Sequence, residues 1–290
     1  MPCHGLEQYL SRLHSNTQAD TQVWLDNEGR AQGRYFNSKL TSAFQPIRLL
    51  DSDTVIGYEG FARSYSESDQ GLCLWKLLDH AANDDESVEL DRLCRMLHAI
   101  NFFRQPESET HDLYLSVHAR LLAAVEGNHG TAFNRVLKVL DLPRERIVLQ
   151  LPAIVEHQSW LLNYVADNYR RNGFRIAVNA ADAYDAFSLL DRLRPEVIKL
   201  DVRQLPQDIP VVQLLSRCEE RGVRVIFKRV ETGESREALQ RIASRTGLLL
   251  HVQGFLWDLP KAVLADAVPR LQAVVRRQQE EASVRNSALG

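Results

Sequence analysis

From residue 42 onward, short apolar and β-branched runs alternate with stretches of helical periodicity. The runs are Ala43–Leu49, Thr54–Gly60, Leu113–His118, Arg146–Leu151, Phe174–Asn179, Val197–Asp201, Val223–Lys228 and Leu248–Gln253. Each has the length and residue types of a buried strand. Between them, apolar residues recur three and four apart, as one face of a helix requires. Leu90, Leu93, Cys94, Leu97 and Ile100 form one stripe. Trp160, Leu161, Tyr164, Val165 and Asn168 form a second, and Val211, Leu214, Leu215 and Cys218 a third. Strand–helix alternation predicts a mainly parallel sheet with crossover helices. Eight near-continuous apolar strands predict an α/β fold closed into a (β/α)₈ barrel of the TIM type. The first two strands are separated only by the few residues around Asp51-Ser52-Asp53, too few for a parallel crossover, so they form an antiparallel hairpin.

Residues 1–41 follow another pattern. They are polar, yet Leu6, Tyr9, Leu10 and Leu13 fall at helical spacing and predict a short amphipathic helix. Val23, Trp24, Tyr35 and Phe36 predict a small hairpin around Asn27-Glu28-Gly29. The expected plan is an N-terminal extension over 1–41, a barrel domain over 42–276 and a frayed tail over 277–290. The chain's 290 residues suit one such barrel, and 44% hydrophobic with 25% charged residues is ordinary for a globular protein. A net charge of -3 lacks the basic excess of a nucleic-acid binder. Cys3, Cys73, Cys94 and Cys218 form no CxxC pair and are expected to be reduced thiols. With no apolar run of signal-peptide or membrane-spanning length, the expectation is a cytoplasmic protein without membrane insertion.

Functional groups of a parallel barrel sit at the C-terminal ends of its strands. Those ends carry Glu59, His118, Gln150, Asn179, Lys199, Asp201, Lys228 and Gln253. Eight converging polar positions would make a polar pocket. Here the chain resembles a known family. Phe44-Gln45-Pro46-Ile47, followed by Gly57-Tyr58-Glu59-Gly60-Phe61-Ala62-Arg63, resembles the opening of the EAL domain, the cyclic di-GMP phosphodiesterase fold. The likeness continues in order through Leu115-Ser116-Val117-His118, Ile147–Leu151, Arg175–Asn179, Val197–Asp201, Val225–Thr232 and Gln253-Gly254-Phe255. It covers about residues 42 to 265.

The resemblance implies an enzyme that binds two divalent cations with strand-end carboxylates and an asparagine, and activates water against a phosphodiester. Such chemistry needs hard oxygen ligands and two metals. This chain departs from the family pattern. Glu59 keeps the first carboxylate. His118 stands at the asparagine position, Gln150 at a glutamate, Asn179 and Ala180 at paired aspartates, and Lys228 at a glutamate before Val230-Glu231-Thr232. Lys199, Asp201, Glu231 and Gln253 are retained. Of five implied carboxylates only Glu59 remains, and one of the four lost is replaced by a cation. An ammonium about 5 Å from a divalent ion would repel it by roughly 6–7 kcal/mol at an effective dielectric near 20.

These departures lead to an expectation of a catalytically inactive regulator, without cofactor or metal, working through a regulatory protein partner. A metal-independent cyclic di-GMP receptor is the alternative, with Arg63, Lys199 and Gln253 as nucleotide contacts. Arg63 matches the family's phosphate-contacting arginine, and a guanidinium fork suits phosphate; its other reading is a salt bridge across the hairpin. Residual phosphodiesterase activity, with Asp182 reaching inward, is a third reading. Lys228 is expected to pair with Glu59 or Asp201, and Tyr184 and Phe187 to fill space that a base would use. A homodimer is compatible with all three.

Overall fold

The computed structural model describes residues 4–15, 22–35, 38–50, 52, 54–66, 69–70, 84–119, 122, 130–152, 159–204 and 208–265. Phe36, Cys3, Cys73 and the tail assigned to 277–290 lie outside the described residues. The strands are β1 (Val23–Leu25), β2 (Ala31–Tyr35), β3 (Ser38–Leu49), β4 (Val55–Ser66), β5 (Asp69–Gln70), β6 (Asp112–Ser116), β7 (Ile147–Leu151), β8 (Arg175–Ala180), β9 (Val197–Asp201), β10 (Arg224–Lys228) and β11 (His251–Gln253). The helices are α1 (His4–Ser15), α2 (Asp84–Phe103), α3 (Thr131–Val139), α4 (Ser159–Arg171), α5 (Ala183–Leu193), α6 (Asp208–Glu220) and α7 (Gly233–Thr246).

Eight strands close a ring in the order β3-β11-β10-β9-β8-β7-β6-β4, with β4 returning to β3. β3 runs antiparallel to both its ring neighbours. The other ring pairs are parallel. The barrel, its helices and the antiparallel start are those implied by the strand–helix alternation.

Alternate residues face the bore and the helix shell, and both sides are buried. Ile47, Tyr114, Val148, Ala177, Val197 and Ile226 form an apolar layer inside the bore. Their sequence neighbours Leu115, Leu149, Val178, Ile198 and Phe227 belong to the larger core outside. Burial on both faces is why the strands read as continuous apolar runs. In α2 and α6 the expected stripes are buried through Leu90, Cys94, Leu97, Ile100, Val211, Leu214, Leu215 and Cys218. α4 corrects the reading in part: Trp160 is 70% exposed, Asn168 is buried as expected, and the buried apolar residues are Leu162, Val165, Ala166 and Tyr169. These keep the i, i+3, i+4, i+7 spacing with the face rotated, and Tyr169 meets Phe174 edge-on at 6.2 Å.

The N-terminal residues join the same sheet. β2 pairs with the first residues of β3, and β1 pairs with β2. Asn101 of α2 clamps Ala31, accepting from its N–H at 2.7 Å and donating to its carbonyl at 2.8 Å. Close approach explains the small residues here. A Cβ on Gly33 would meet Leu93 and Leu97 at 3.0 Å, and one on Gly5 would lie 2.6 Å from the Val139 carbonyl. Among the described residues, no helix is long and apolar enough to cross a membrane.

Candidate functional site

Glu59, Gln150, Lys199 and Gln253 meet directly at the end of the bore where the parallel strands finish. Lys199 is 1% exposed. Its ammonium donates to Glu59 Oε2 at 2.7 Å, Gln150 Oε1 at 2.6 Å and Gln253 Oε1 at 2.9 Å. An ammonium has three N–H groups, and all three are matched. The Tyr114 ring lies 5.9 Å from the same nitrogen. Gln150 Nε2 donates to Glu59 Oε1 at 2.8 Å, and Gln253 Nε2 donates to Glu59 Oε2 at 2.8 Å and to Gln45 Oε1 at 3.1 Å. Ser116 adds a weaker donor to Glu59 Oε1 at 3.4 Å. Burial opposes ionisation of Glu59. The Lys199 charge and the hydrogen bonds from Lys199, Gln150 and Gln253 outweigh it and hold the carboxyl below its ordinary range.

The remaining strand ends form a second tier. Lys228 and Asp201 are cross-strand neighbours on β10 and β9, one inward-facing step above Ile226 and Lys199. Lys228 does not bond to Glu59 or Asp201, as the sequence led us to expect. It donates to Asn179 Oδ1 at 2.6 Å, and Asn179 Nδ2 donates to the Leu151 carbonyl at 3.0 Å. The reason is prior occupation. Glu59 is filled from below by Lys199, and Asp201 is held by Arg203 at 2.9 Å and Arg229 at 3.1 Å. Burial first, and then the nearby Lys199 charge, push the Lys228 pKa below its ordinary value.

His118 lies just past β6, where its backbone N–H donates to Asp91 Oδ1 at 3.2 Å. Arg63 is exposed on the part of β4 opposite Thr41. Its guanidinium reaches the Pro260 carbonyl at 3.5 Å, with no salt bridge to a described residue. Asp182 does not reach inward: it caps α5, accepting from the Tyr184 and Asp185 N–H groups. That cap sets the helix register, so Ala183, Ala186 and Leu190 face the core and Tyr184 is 70% exposed. Phe187 packs under the Arg217 guanidinium at 5.8 Å. Neither aromatic fills the bore, which corrects the expected role of both.

A profile of the EAL domain matches residues 30–257. The chain belongs to the EAL domain family. Its barrel is similar to Klebsiella pneumoniae BlrP1 in a manganese and cyclic di-GMP complex, at 22% identity and a TM-score of 0.64 over 77% of this chain and 56% of that one. It is also similar to the Bacillus subtilis YkuI protein with cyclic di-GMP and calcium, at 18% identity and 0.64 over 86% and 62%. A standalone EAL protein from Vibrio cholerae in its cyclic di-GMP-bound form matches at 16% and 0.59 over 78% and 94%. The chain thus spans 56% and 62% of the length of the Klebsiella and Bacillus proteins. No curated protein sequence matches it.

Among the described residues, the side chains at this EAL mouth do not fit a divalent cation. Magnesium or manganese needs near-octahedral oxygen coordination. Glu59 and Asp201 are engaged with cationic side chains, and Lys228 brings an ammonium to the rim. Among the described residues, no three His, Cys, Asp or Glu side chains group to hold a metal. The sequence reading missed four participants: Gln45, Ser116, Arg203 and Arg229. Gln45 and Ser116 were findable, because period-2 alternation from Ile47 and Tyr114 turns both into the bore. Arg203 and Arg229 sit in non-strand backbone, where no periodicity points to their direction.

Proposed function

We propose that this chain is a catalytically inactive EAL-type regulator in bacterial cyclic di-GMP-related signalling, cytoplasmic, and acting mainly through contacts with a regulatory protein. The observation that carries this reading is the donor-for-donor match between Lys199 and Glu59, Gln150 and Gln253. The one carboxylate left of the five that the family pattern implies is spent on a protein cation. A buried pair of this kind is not opened cheaply, because either partner alone would be an uncompensated charge. The Klebsiella and Bacillus relatives are described with manganese or calcium beside cyclic di-GMP; here Lys228 brings a positive charge of its own. Phe255, Leu259 and Val263, exposed on the segment after β11, offer apolar surface to a partner.

The test is hydrolysis and binding on the full chain. No linear dinucleotide is expected from cyclic di-GMP with Mg²⁺ or Mn²⁺. Product that forms with metal and disappears in Glu59→Ala overturns the proposal. Lys228→Glu alone is not expected to create activity, since Gln150, Asn179 and Ala180 would still be short of carboxylates.

A metal-independent cyclic di-GMP receptor is the second reading, favoured by the exposed Arg63 guanidinium on β4 beyond Glu59. Calorimetry with and without Mg²⁺ separates the two. The regulator reading expects a dissociation constant weaker than about 100 μM, about 5.5 kcal/mol of binding. A low-micromolar constant that is lost in Arg63→Ala makes the chain a receptor.

A further inference from the structure

A groove of about 1070 Å³ runs between α1 and the barrel, far from the mouth. α1 forms one wall. The residues that follow α2 and those that precede β7 form the other. Leu6, Phe103 and Leu142 are buried in these walls, with Leu10 partly buried beside them. The polar lining is acidic. Glu7, Glu109, Asp141 and Glu145 are exposed there, beside two guanidiniums. Arg104 turns to the Glu28 carbonyl at 3.1 Å and Arg146 to the His111 carbonyl at 3.1 Å. Four carboxylates thus line the groove with two cations, among the described residues.

The described part of the chain stops at the lip of this groove, at Ala265. Gln105, which belongs to the groove's lining, donates to the Ala262 carbonyl at 3.3 Å and accepts from the Leu264 N–H at 2.9 Å. The Tyr58 hydroxyl donates to the Ala265 carbonyl at 3.3 Å. These bonds deliver the chain to Gln105, and residue 266 follows from that point. The sequence beyond carries the complement of the groove. Val268, Leu271 and Val275 recur at i, i+3 and i+7, with Val274 beside them, the spacing of one helix face. Arg270 and Arg277 flank one edge of that stripe and Arg276 the other. From Val268 to Arg277 there is no acidic residue. Pro269 falls where a helix tolerates it, in a first turn.

We infer that residues 268–277 dock as a basic amphipathic helix into the groove between α1 and the barrel of the same molecule. The apolar stripe lies toward Leu6, Phe103 and Leu142, and the arginines lie toward the surrounding carboxylates. Apolar burial supplies most of the attraction, and the exposed charges add a modest, salt-sensitive part. Only Asp266 and Ala267 separate the segment from Ala265, so the linkage is short and the local concentration high. α1 and residues 268–277 both lie outside residues 30–257 matched by the EAL profile, so the contact belongs to this chain and not to the common fold. It clamps α1 onto the barrel and is independent of the chemistry at the mouth.

The test is hydrogen exchange on the full chain at low ionic strength, read by mass spectrometry. The amides of residues 271–277 should exchange at least about tenfold more slowly than in a free peptide of the same sequence. Reversing the groove charge with Glu7→Lys and Glu145→Lys together should speed that exchange about threefold or more, and high salt should act in the same direction. Arg276→Glu with Arg277→Glu should have a like effect, and all four changes together should restore slow exchange. Leu271→Asp should abolish it. Unchanged exchange in β7 verifies that each variant is folded, and either pair of charge changes tests the inference by itself. Exchange at the free-peptide rate in the unaltered chain overturns the inference. So does slow exchange that is indifferent to Glu7→Lys with Glu145→Lys. Slow exchange that is lost on dilution, as light scattering shows a dimer dissociating, also overturns it and gives the groove to the same segment of a second copy.

Discussion

The bore of this barrel is ionic at its mouth and at its floor, and the two ends are built in different ways. At the mouth, Lys199 is wholly buried and each of its donors meets an acceptor. At the floor, one inward step below the apolar layer, Arg175 and Arg224 converge on Asp112 at 2.6 and 3.6 Å. Arg224 also donates to the Tyr114 hydroxyl at 3.0 Å. About a third of each floor arginine side chain remains exposed. Asp112 thus serves two partly exposed arginines, and Arg175 Nε is buried there without a hydrogen-bond partner among the described residues. Where water is excluded, a charge requires a full set of partners.

The largest effect is therefore expected at the mouth. Lys199→Ala strands Glu59 with amide donors alone and should cost about 3–5 kcal/mol in urea unfolding. A loss below about 1 kcal/mol would show that the two ends are energetically alike. Asp112→Asn at the floor should cost about 1 kcal/mol, and the cost should shrink in high salt. Equal losses at low and high salt would break the distinction between screened and unscreened pairs.

Acid should separate the ends further. Burial, followed by the Arg224 charge, lowers His251 from 6.5 to about 4. Its folded pKa lies below its unfolded one, so its contribution is complete above 6.5 and is lost as pH falls towards 4. Glu59 is depressed below its ordinary value of 4.5. Its contribution is complete above that value and is lost only at still lower pH. His251 pairs with Ile226 of the apolar layer, one step above Arg224, so stability should decline first below the mouth. In a pH series of unfolding curves, His251→Gln should flatten the decline between pH 6.5 and 4 while leaving the steeper loss below it. An unchanged slope would remove His251 from the account.

The smallest effect is expected from the other lysine. Lys228 is disfavoured by burial and by its cationic neighbours. Lys228→Gln should change stability by no more than about 1 kcal/mol, in the stabilising direction. A loss above about 2 kcal/mol would make Lys228 a structural partner like Lys199.

Much of the architecture was legible in the residue pattern because burial writes itself into composition. Strands covered on both faces are apolar throughout, and the eight runs lie where the eight ring strands formed. The short Asp51–Asp53 connection alone required β3 and β4 to be antiparallel. α4 was less legible. Trp160, Leu161, Tyr164 and Val165 and the buried set Leu162, Val165, Ala166 and Tyr169 both satisfy helical spacing, and only packing against Phe174 chooses between them.

By itself, then, the sequence determined the barrel, its antiparallel opening and the polar character of its strand ends, because periodicity and loop length act locally along the chain. The tertiary structure alone decided which charge meets which. Lys199 and Lys228 are both strand-end lysines in the sequence, yet the stagger between β9 and β10 puts Lys199 one step deeper, within reach of Glu59 on β4. Asp201 took Arg203 and Arg229, not its cross-strand neighbour Lys228, because those arginines stand on irregular backbone whose direction no repeat encodes. Coulomb partners in a closed barrel are set by register and depth, and these exist only once all eight strands have met.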